Sequence, residues 1–333
     1  MKILVTGGLG FIGSHIVEYH LNKNDAVYVV DNLSTGSLDN LSLFQNNPDF
    51  QFDKADILTW QNMEKAVAWA DRIYHMAAVV GNLRVIQEPI NVIASNIAGT
   101  ERLFNTITKI GNTPRVILAS TSEVYGKSSK STMQEEDDLI IENPVHLHSN
   151  YAISKLSDEI IGLSYDRINN IPTTIIRFFN TIGPRQTGTY GFVVPKFIAQ
   201  ACKGEPISIY GDGSQTRSFG DVRDVVVALD LIAENIRTRY NILNVGVDHE
   251  ITIKALANLV RERANSKSDI IYVPYKKIYG MEFLDIMHRR PDLTKLHKLI
   301  QFKHKWTLEK TVDNLIGIFN ENSLKPQLKN KNL

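Results

Sequence analysis

The chain has 333 residues, 43% of them hydrophobic, enough to bury a sizeable core in one large domain or two closely joined ones. Its 37 lysines and arginines nearly cancel its 36 aspartates and glutamates, which argues against a nucleic-acid surface or a polybasic membrane face and leaves small ligands open. A single cysteine excludes an internal disulfide framework, and no run of about 18 apolar residues suggests a membrane span.

In chain order, MKILVTGG enters a short apolar strand without a signal pattern, so a soluble, cytoplasmic protein is expected. KILVT precedes the helix-like FIGSHIVEYHLNK, and AVYVVD follows. DRIYHMAA precedes NVIASNIAGTERLFNTITKI, RVILAS precedes YAISKLSDEIIGLSYDRI, and TTIIRF closes the series. Strands alternating with helix-length segments predict crossover units, hence a doubly wound α/β fold whose parallel sheet is covered on both faces. Beyond residue 178 the pattern loosens into the clusters IGPRQTGTYG and YGDGSQ, between the helix-like VVPKFIAQACK and VRDVVVALDLIAENI. A smaller C-terminal lobe is expected there, interleaved with the sheet because NILNVG returns to it. The expected division assigns residues 1–177, with a returning segment at about 214–247, to the sheet domain. Residues 178–213 and 248–322 form the lobe, and the lysine-rich 323–333 a disordered tail. Cys202, in FIAQACKGE, reads as a packed thiol.

ILVTGGLGFIGSH carries Gly8, Gly10 and Gly13 in G-x-G-x-x-G spacing, and Gly7, Gly10 and Gly13 in G-x-x-G-x-x-G spacing. Such glycines permit a tight turn and let the backbone approach a pyrophosphate at the positive end of the following helix. Phe11 and Ile12 belong to the same loop. The next strand ends in Asp31, beside Asn32, where a carboxylate accepts from the adenosine ribose hydroxyls. Asp31 repels a 2′-phosphate and DNLSTG supplies no cation to neutralise one, so the expected cofactor is NAD on a Rossmann-type sheet. At later strand ends, Asp56 and Ile57 are placed to border the adenine, Ala77 and Ala78 to let backbone approach the cofactor, and Asn96 joins the cofactor set. His75, inside an apolar strand, reads as a satisfied core histidine.

Tyr151 and Lys155 in NYAISKLSDE lie one helical turn apart, on one face. A phenol titrates near pH 10, and an adjacent ammonium, with the positive nicotinamide ring nearby, favours the phenolate and brings it toward use as a base. Thr121, from a separate strand end, supplies a hydroxyl to hold a substrate alcohol against Tyr151. From TGGLGFIG through Tyr151 and Lys155 to RFFNTIGPR, GDGSQTR and RRPD, the chain resembles an extended short-chain dehydrogenase/reductase of the nucleotide-sugar epimerase/dehydratase family. The resemblance implies reversible hydride transfer at a sugar carbon, usually carbon 4, with Tyr151 as base, Thr121 on the reacting hydroxyl, and Lys155 on the nicotinamide ribose. It places Phe178 beside the nicotinamide, Asn180 and the arginines Arg217 and Arg289 on the diphosphate, and Val193 and Tyr210 around the base. Asp292 would orient Arg289 or touch a ribose. It further implies a homodimer formed by helices at about 91–110 and 151–168.

ASTSEVYG adds Ser122 and Glu123 to the catalytic candidates. Once carbon 4 is a ketone the carbon 5 hydrogen is acidic, so Glu123 decides between inverting carbon 4 and acting on carbon 5. The T-S-E triplet resembles UDP-glucuronate decarboxylases and GDP-mannose 4,6-dehydratases, but VVGNLRVIQEP after Ala78 lacks the Pro- and Tyr-containing stretch of the decarboxylases, and MAAVVG, SEVYGK and NTIGPRQTGTYGFVVP resemble UDP-sugar 4-epimerases. The expected activity is an NAD-dependent 4-epimerase acting on a UDP-sugar. The alternatives are a UDP-glucuronate decarboxylase, a 4,6-dehydratase, a 4-dehydrogenase releasing the ketone, or a non-catalytic NAD-binding protein. His146 and His148 lack further ligands at a recognisable spacing, so no metal is expected.

Overall fold

The computed structural model describes residues 1–128, 130–141, 143, 149–188, 192–279 and 286–329. The strands are β1 (Lys2–Thr6), β2 (Ala26–Asp31), β3 (Phe50–Lys54), β4 (Arg72–His75), β5 (Arg115–Thr121), β6 (Thr173–Phe178), β7 (Thr181–Ile182), β8 (Ile207–Tyr210), β9 (Thr216–Ser218), β10 (Gly220–Asp221), β11 (Asn241–Val245), β12 (Glu250–Thr252) and β13 (Ile270–Val273). The helices are α1 (Phe11–Asn22), α2 (Met63–Trp69), α3 (Asn82–Gln87), α4 (Pro89–Ile110), α5 (Asn150–Asn169), α6 (Val193–Lys203), α7 (Val222–Glu234), α8 (Ile253–Arg263), α9 (Tyr275–Tyr279), α10 (Thr294–Leu299) and α11 (Leu308–Lys329).

Seven strands form one parallel sheet in the order β11-β6-β5-β4-β1-β2-β3. Alternate residues point to opposite faces, so Ile3 and Val5 meet α1 and α7 while Leu4 and Tyr28 meet α2 and α4. Both faces are covered, which is why the strands read as continuous apolar runs. Strand order reverses between β1 and β4 and opens a crevice at their carboxyl ends. Here β1 finishes at Thr6 and β4 at His75.

The smaller lobe packs α6, α8 and α11 with the β8–β13 pair around Phe197, Ile209, Leu256 and Val312. Cys202 is partly buried against this core. Its borders differ from those expected. β9 pairs antiparallel with β12, so Thr216–Ser218 belong to the lobe, and the return to the sheet begins with β10 and α7. Leu293, Leu296, Ile300 and Phe302 join the apolar cluster beneath β1 and α7, so this stretch, expected in the lobe, packs on the sheet. The tail expected to be disordered is helical to Lys329. Leu315, Ile316 and Phe319 anchor α11 on the lobe core, and adding turns to an anchored helix costs little. Among the described residues no helix is long and apolar enough to cross a membrane, and no cluster of metal-ligating side chains occurs.

Candidate active site

The crevice side is built from strand ends. After Thr6 the chain turns at Gly7, whose φ of +68° favours glycine. A Cβ on Gly7 would stand 2.8 Å from the Ala77 backbone, and one on Gly13 would overlap the Gly7 carbonyl oxygen. The loop therefore packs backbone on backbone and leaves the start of α1 facing the chamber, where its N–H groups favour a pyrophosphate. Gly7, Gly10, Phe11, Ile12 and Gly13 all line it. The Asp31 carboxylate accepts from Leu9 N at 3.0 Å and Leu33 N at 2.7 Å. Burial pushes its pKa up, and these bonds oppose that rise.

Asn32 donates to Asp56 at 2.9 Å along the rim, beside Ile57. Ala77 and Ala78 line the floor, and Ala77 N donates to Thr6 Oγ1 at 3.2 Å. Asn96 reaches the chamber, but its amide is committed to the protein. It accepts from Val79 N at 2.7 Å and donates to Val79 O at 3.2 Å and Ser154 Oγ at 3.0 Å, pinning the Val79 loop to α5. His75 is bonded by Thr6 Oγ1 at 2.7 Å and Thr100 Oγ1 at 3.1 Å. Burial first, and Lys155 second, push its pKa down to about 3, so it is a neutral core residue.

Tyr151 and Lys155 line the chamber from α5, with Thr121 and Ser122 opposite them from the end of β5 and Phe178 from the end of β6. Thr121 Oγ1 accepts from Glu123 N at 3.2 Å, capping the single 3-10 turn Ser122–Tyr125. That leaves the hydroxyl proton to donate. Lys155 is buried and donates to Asp158 Oδ2 at 2.7 Å. The expected lowering of the Tyr151 pKa by Lys155 is absent in the chain alone. Burial raises it, and Glu123 and Asp158 add to the rise, because Asp158 matches the ammonium charge that would otherwise favour a phenolate.

A second chamber opens toward the lobe, lined by Val193, Tyr210 and Arg217. Glu123, Asn180 and Arg289 line both chambers and so stand where they meet. Asn180 donates to Ser218 O at 3.1 Å, and Arg217 Nη1 to Thr216 O and Ile286 O, both at 2.7 Å. Arg289 Nη1 lies 3.6 Å from Glu123 Oε1, and its Nε has no hydrogen-bond partner among the described residues. Asp292 corrects its expectation. It lines neither chamber, and its carboxylate accepts from Thr294 N at 2.7 Å and Gln134 Nε2 at 2.9 Å, starting α10 instead of orienting Arg289. His146 and His148 lie outside the described residues.

A model of the NAD dependent epimerase/dehydratase family matches residues 3–246. The chain belongs to that family. A UDP-N-acetyl-alpha-D-glucosaminuronate decarboxylase of Bacillus cytotoxicus is 35% identical over 322 residues, 96% of this chain and 98% of the relative. Among solved structures, the UDP-glucose 4-epimerase of Thermotoga maritima with UDP-glucose has a TM-score of 0.86 at 28% identity, covering 97% of this chain and 99% of that one. The dTDP-glucose 4,6-dehydratase of Bacillus anthracis with NAD has a TM-score of 0.83 at 26% identity, covering 97% of each. This family member is therefore an NAD-dependent enzyme, and its glycine cradle and Asp31 carboxylate suit that cofactor.

Sequence reasoning passed over several lining residues of this epimerase/dehydratase family chain. Arg185 and Gln186 line the cofactor chamber from the quoted GPRQ run, where the signal was present but unassigned. Lys196 sits one turn after Val193 on the same face of α6 and was within reach of helical spacing. Its Nζ lies 3.5 Å above the Tyr210 ring centroid and donates to Ser208 O at 3.0 Å, and burial pushes its pKa down to about 8. Tyr275 had no such signal, because the pairing of β13 with β8 delivers it.

Proposed function

We propose that the chain is an NAD-dependent decarboxylase of a UDP-uronic acid, working through a 4-keto sugar. The observation that carries this reading is the Glu123–Arg289 pair at 3.6 Å, where the two chambers meet. A uronate has its carboxylate on carbon 5, and the Arg289 guanidinium, which lines both chambers, is suited to hold it. This reading moves Arg289 from the diphosphate, where the resemblance put it, to the sugar carboxylate, which a neutral hexose lacks. The relative from B. cytotoxicus carries a uronate decarboxylase name at 35% identity, which supports the same choice.

NAD, held by the glycine loop and Asp31, would supply the hydride acceptor and donor for carbon 4. Tyr151 accepts the proton of the carbon 4 hydroxyl, which Thr121 holds by hydrogen bond, and Tyr151 gives the proton back at the end. Lys155 holds the nicotinamide ribose, and Asn180 and Arg217 hold the diphosphate. The 4-ketone is the electron sink for breaking the bond between carbon 5 and the carboxylate, which leaves as carbon dioxide. Carbon 5 then takes one proton from solvent, so the net reaction consumes one proton and yields a UDP-pentose. Ser122 and Glu123 lie on the carbon 5 side, where Glu123 keeps Arg289 in place for the carboxylate.

The test is incubation with UDP-glucuronate and UDP-N-acetylglucosaminuronate in heavy water. The reading expects carbon dioxide and one deuterium at carbon 5 of the product. The 4-epimerase reading, supported by the T. maritima neighbour, expects an inverted carbon 4, no carbon dioxide and no deuterium at carbon 5. We further propose a cytoplasmic homodimer paired through α4 and α5, whose surfaces carry Ile90 at 83% and Ile160 at 60% exposure. Sedimentation as a monomer at micromolar concentration would overturn the dimer.

A further inference from the structure

Glu123 and Arg289 come from distant parts of the chain, one in the turn after β5 and one in the irregular segment before α10, and their side chains approach no closer than 3.6 Å. Their spacing is fixed from behind. Tyr125, two residues after Glu123 and wholly buried, donates from its hydroxyl to Asn244 Oδ1 at 2.7 Å. Asn244, itself wholly buried on β11, donates from Nδ2 to Met133 O at 2.9 Å and Asp292 O at 3.4 Å, and from its main-chain N to Glu135 Oε1 at 2.8 Å. Met133 bridges Pro291. Its N donates to Arg290 O and its O accepts from Asp292 N, both at 2.8 Å. The relay therefore ends on the residues that directly follow Arg289.

The same tyrosine also faces the helix of the base. Its ring lies under the Arg177 guanidinium at 4.7 Å, and Arg177 makes a two-pronged bond to Glu159 of α5 at 2.9 and 2.8 Å. Tyr151 and Lys155 stand on that helix. One buried polar set thus touches the turn of Glu123, the segment of Arg289 and the helix of Tyr151, while none of its members lines either chamber.

We infer that Tyr125 and Asn244 are positioning residues whose hydroxyl-to-amide relay sets the spacing of Glu123 and Arg289 and so governs the carbon 5 step. This rests on the decarboxylase reading above. In Tyr125→Phe the ring and the Arg177–Glu159 bond that reach α5 remain, so the carbon 4 step, carried by Thr121, Tyr151 and Lys155, is disturbed less than the carbon 5 step. Removing the Tyr125 hydroxyl leaves Asn244 Oδ1 buried without a donor, and the amide then turns or admits water, either of which slackens its hold on residues 290–292.

The test uses the holoenzyme with a UDP-uronate and compares wild type with Tyr125→Phe. Carbon dioxide release is measured beside the near-ultraviolet absorbance of the reduced nicotinamide during turnover. The inference expects kcat for carbon dioxide release to fall about ten-fold with KM nearly unchanged, and the reduced cofactor to accumulate because carbon 4 oxidation persists. A merely structural tyrosine would lower both signals in parallel, and an unchanged ratio between them overturns the inference. If Tyr125→Phe does not fold, Asn244→Ser cuts the same relay at its other end and is read the same way. Absence of carbon dioxide from the wild type sinks the decarboxylase reading, and the carbon 5 role with it. Carbon dioxide from the wild type with an unchanged ratio in the variant sinks the positioning role alone.

Discussion

The two chambers are walled by different means. The cofactor side is made of strand ends and a backbone loop, so its shape comes from glycines packed against carbonyls and from one carboxylate held by main-chain N–H groups. The second chamber, proposed to take the nucleotide sugar, is made of side chains from separate segments, Val193 on α6, Tyr210 on β8, Arg217 on β9 and Arg289 before α10. A backbone cradle tolerates almost no added atom but little depends on its side chains, whereas a side-chain chamber can be retuned one residue at a time.

The sharpest way to break this contrast is Gly13→Val. A side chain there overlaps the Gly7 carbonyl oxygen, so NAD binding by calorimetry should vanish, while an equal change of volume at Val193 should only weaken nucleotide binding. Next comes Tyr151→Phe, expected to lower kcat by about 10²–10⁴ while NAD affinity holds, since the phenol moves a proton without building the cradle. Retained turnover would remove Tyr151 from its role. Asp31→Ser should weaken NAD by about ten-fold and narrow its preference over NADP, through loss of charge-assisted bonds to the ribose. Titration of both cofactors decides it.

The smallest effect concerns the other chamber. Burial holds the Lys196 pKa down to about 8, below its unfolded value near 10.4. The unfolded chain therefore binds more protons between these values, and wild-type stability rises with pH across that window. Lys196→Met removes this rise, and thermal unfolding of both proteins at pH 7 and pH 10 should show the wild type gaining on the variant.

What was legible in the sequence follows the same division. The sheet, its glycine loop, Asp31 and the Tyr151–Lys155 turn are local patterns, each confined to one strand or one helix, and local spacing suffices to read them. The placing of Arg289 against Glu123 depends on long-range packing and could not be read from spacing. Asp292 was misjudged because proximity in sequence to Arg289 suggested contact, whereas its carboxylate bonds Thr294 and Gln134. The reading of Lys155 beside Tyr151 left out Asp158, one turn further along α5, which opposes the ammonium in the chain alone. The returning stretch Leu293–Phe302 was missed because apolar spacing shows that a face is buried, not which core buries it.

The chain passes between sheet and lobe repeatedly, leaving after β6, coming back with β10 and α7, leaving again after β11, and coming back once more before α10. Neither part is a continuous piece that could be cut out and folded alone. A rotation of one against the other would have to move every crossing segment together. Heating should therefore melt sheet and lobe in one transition.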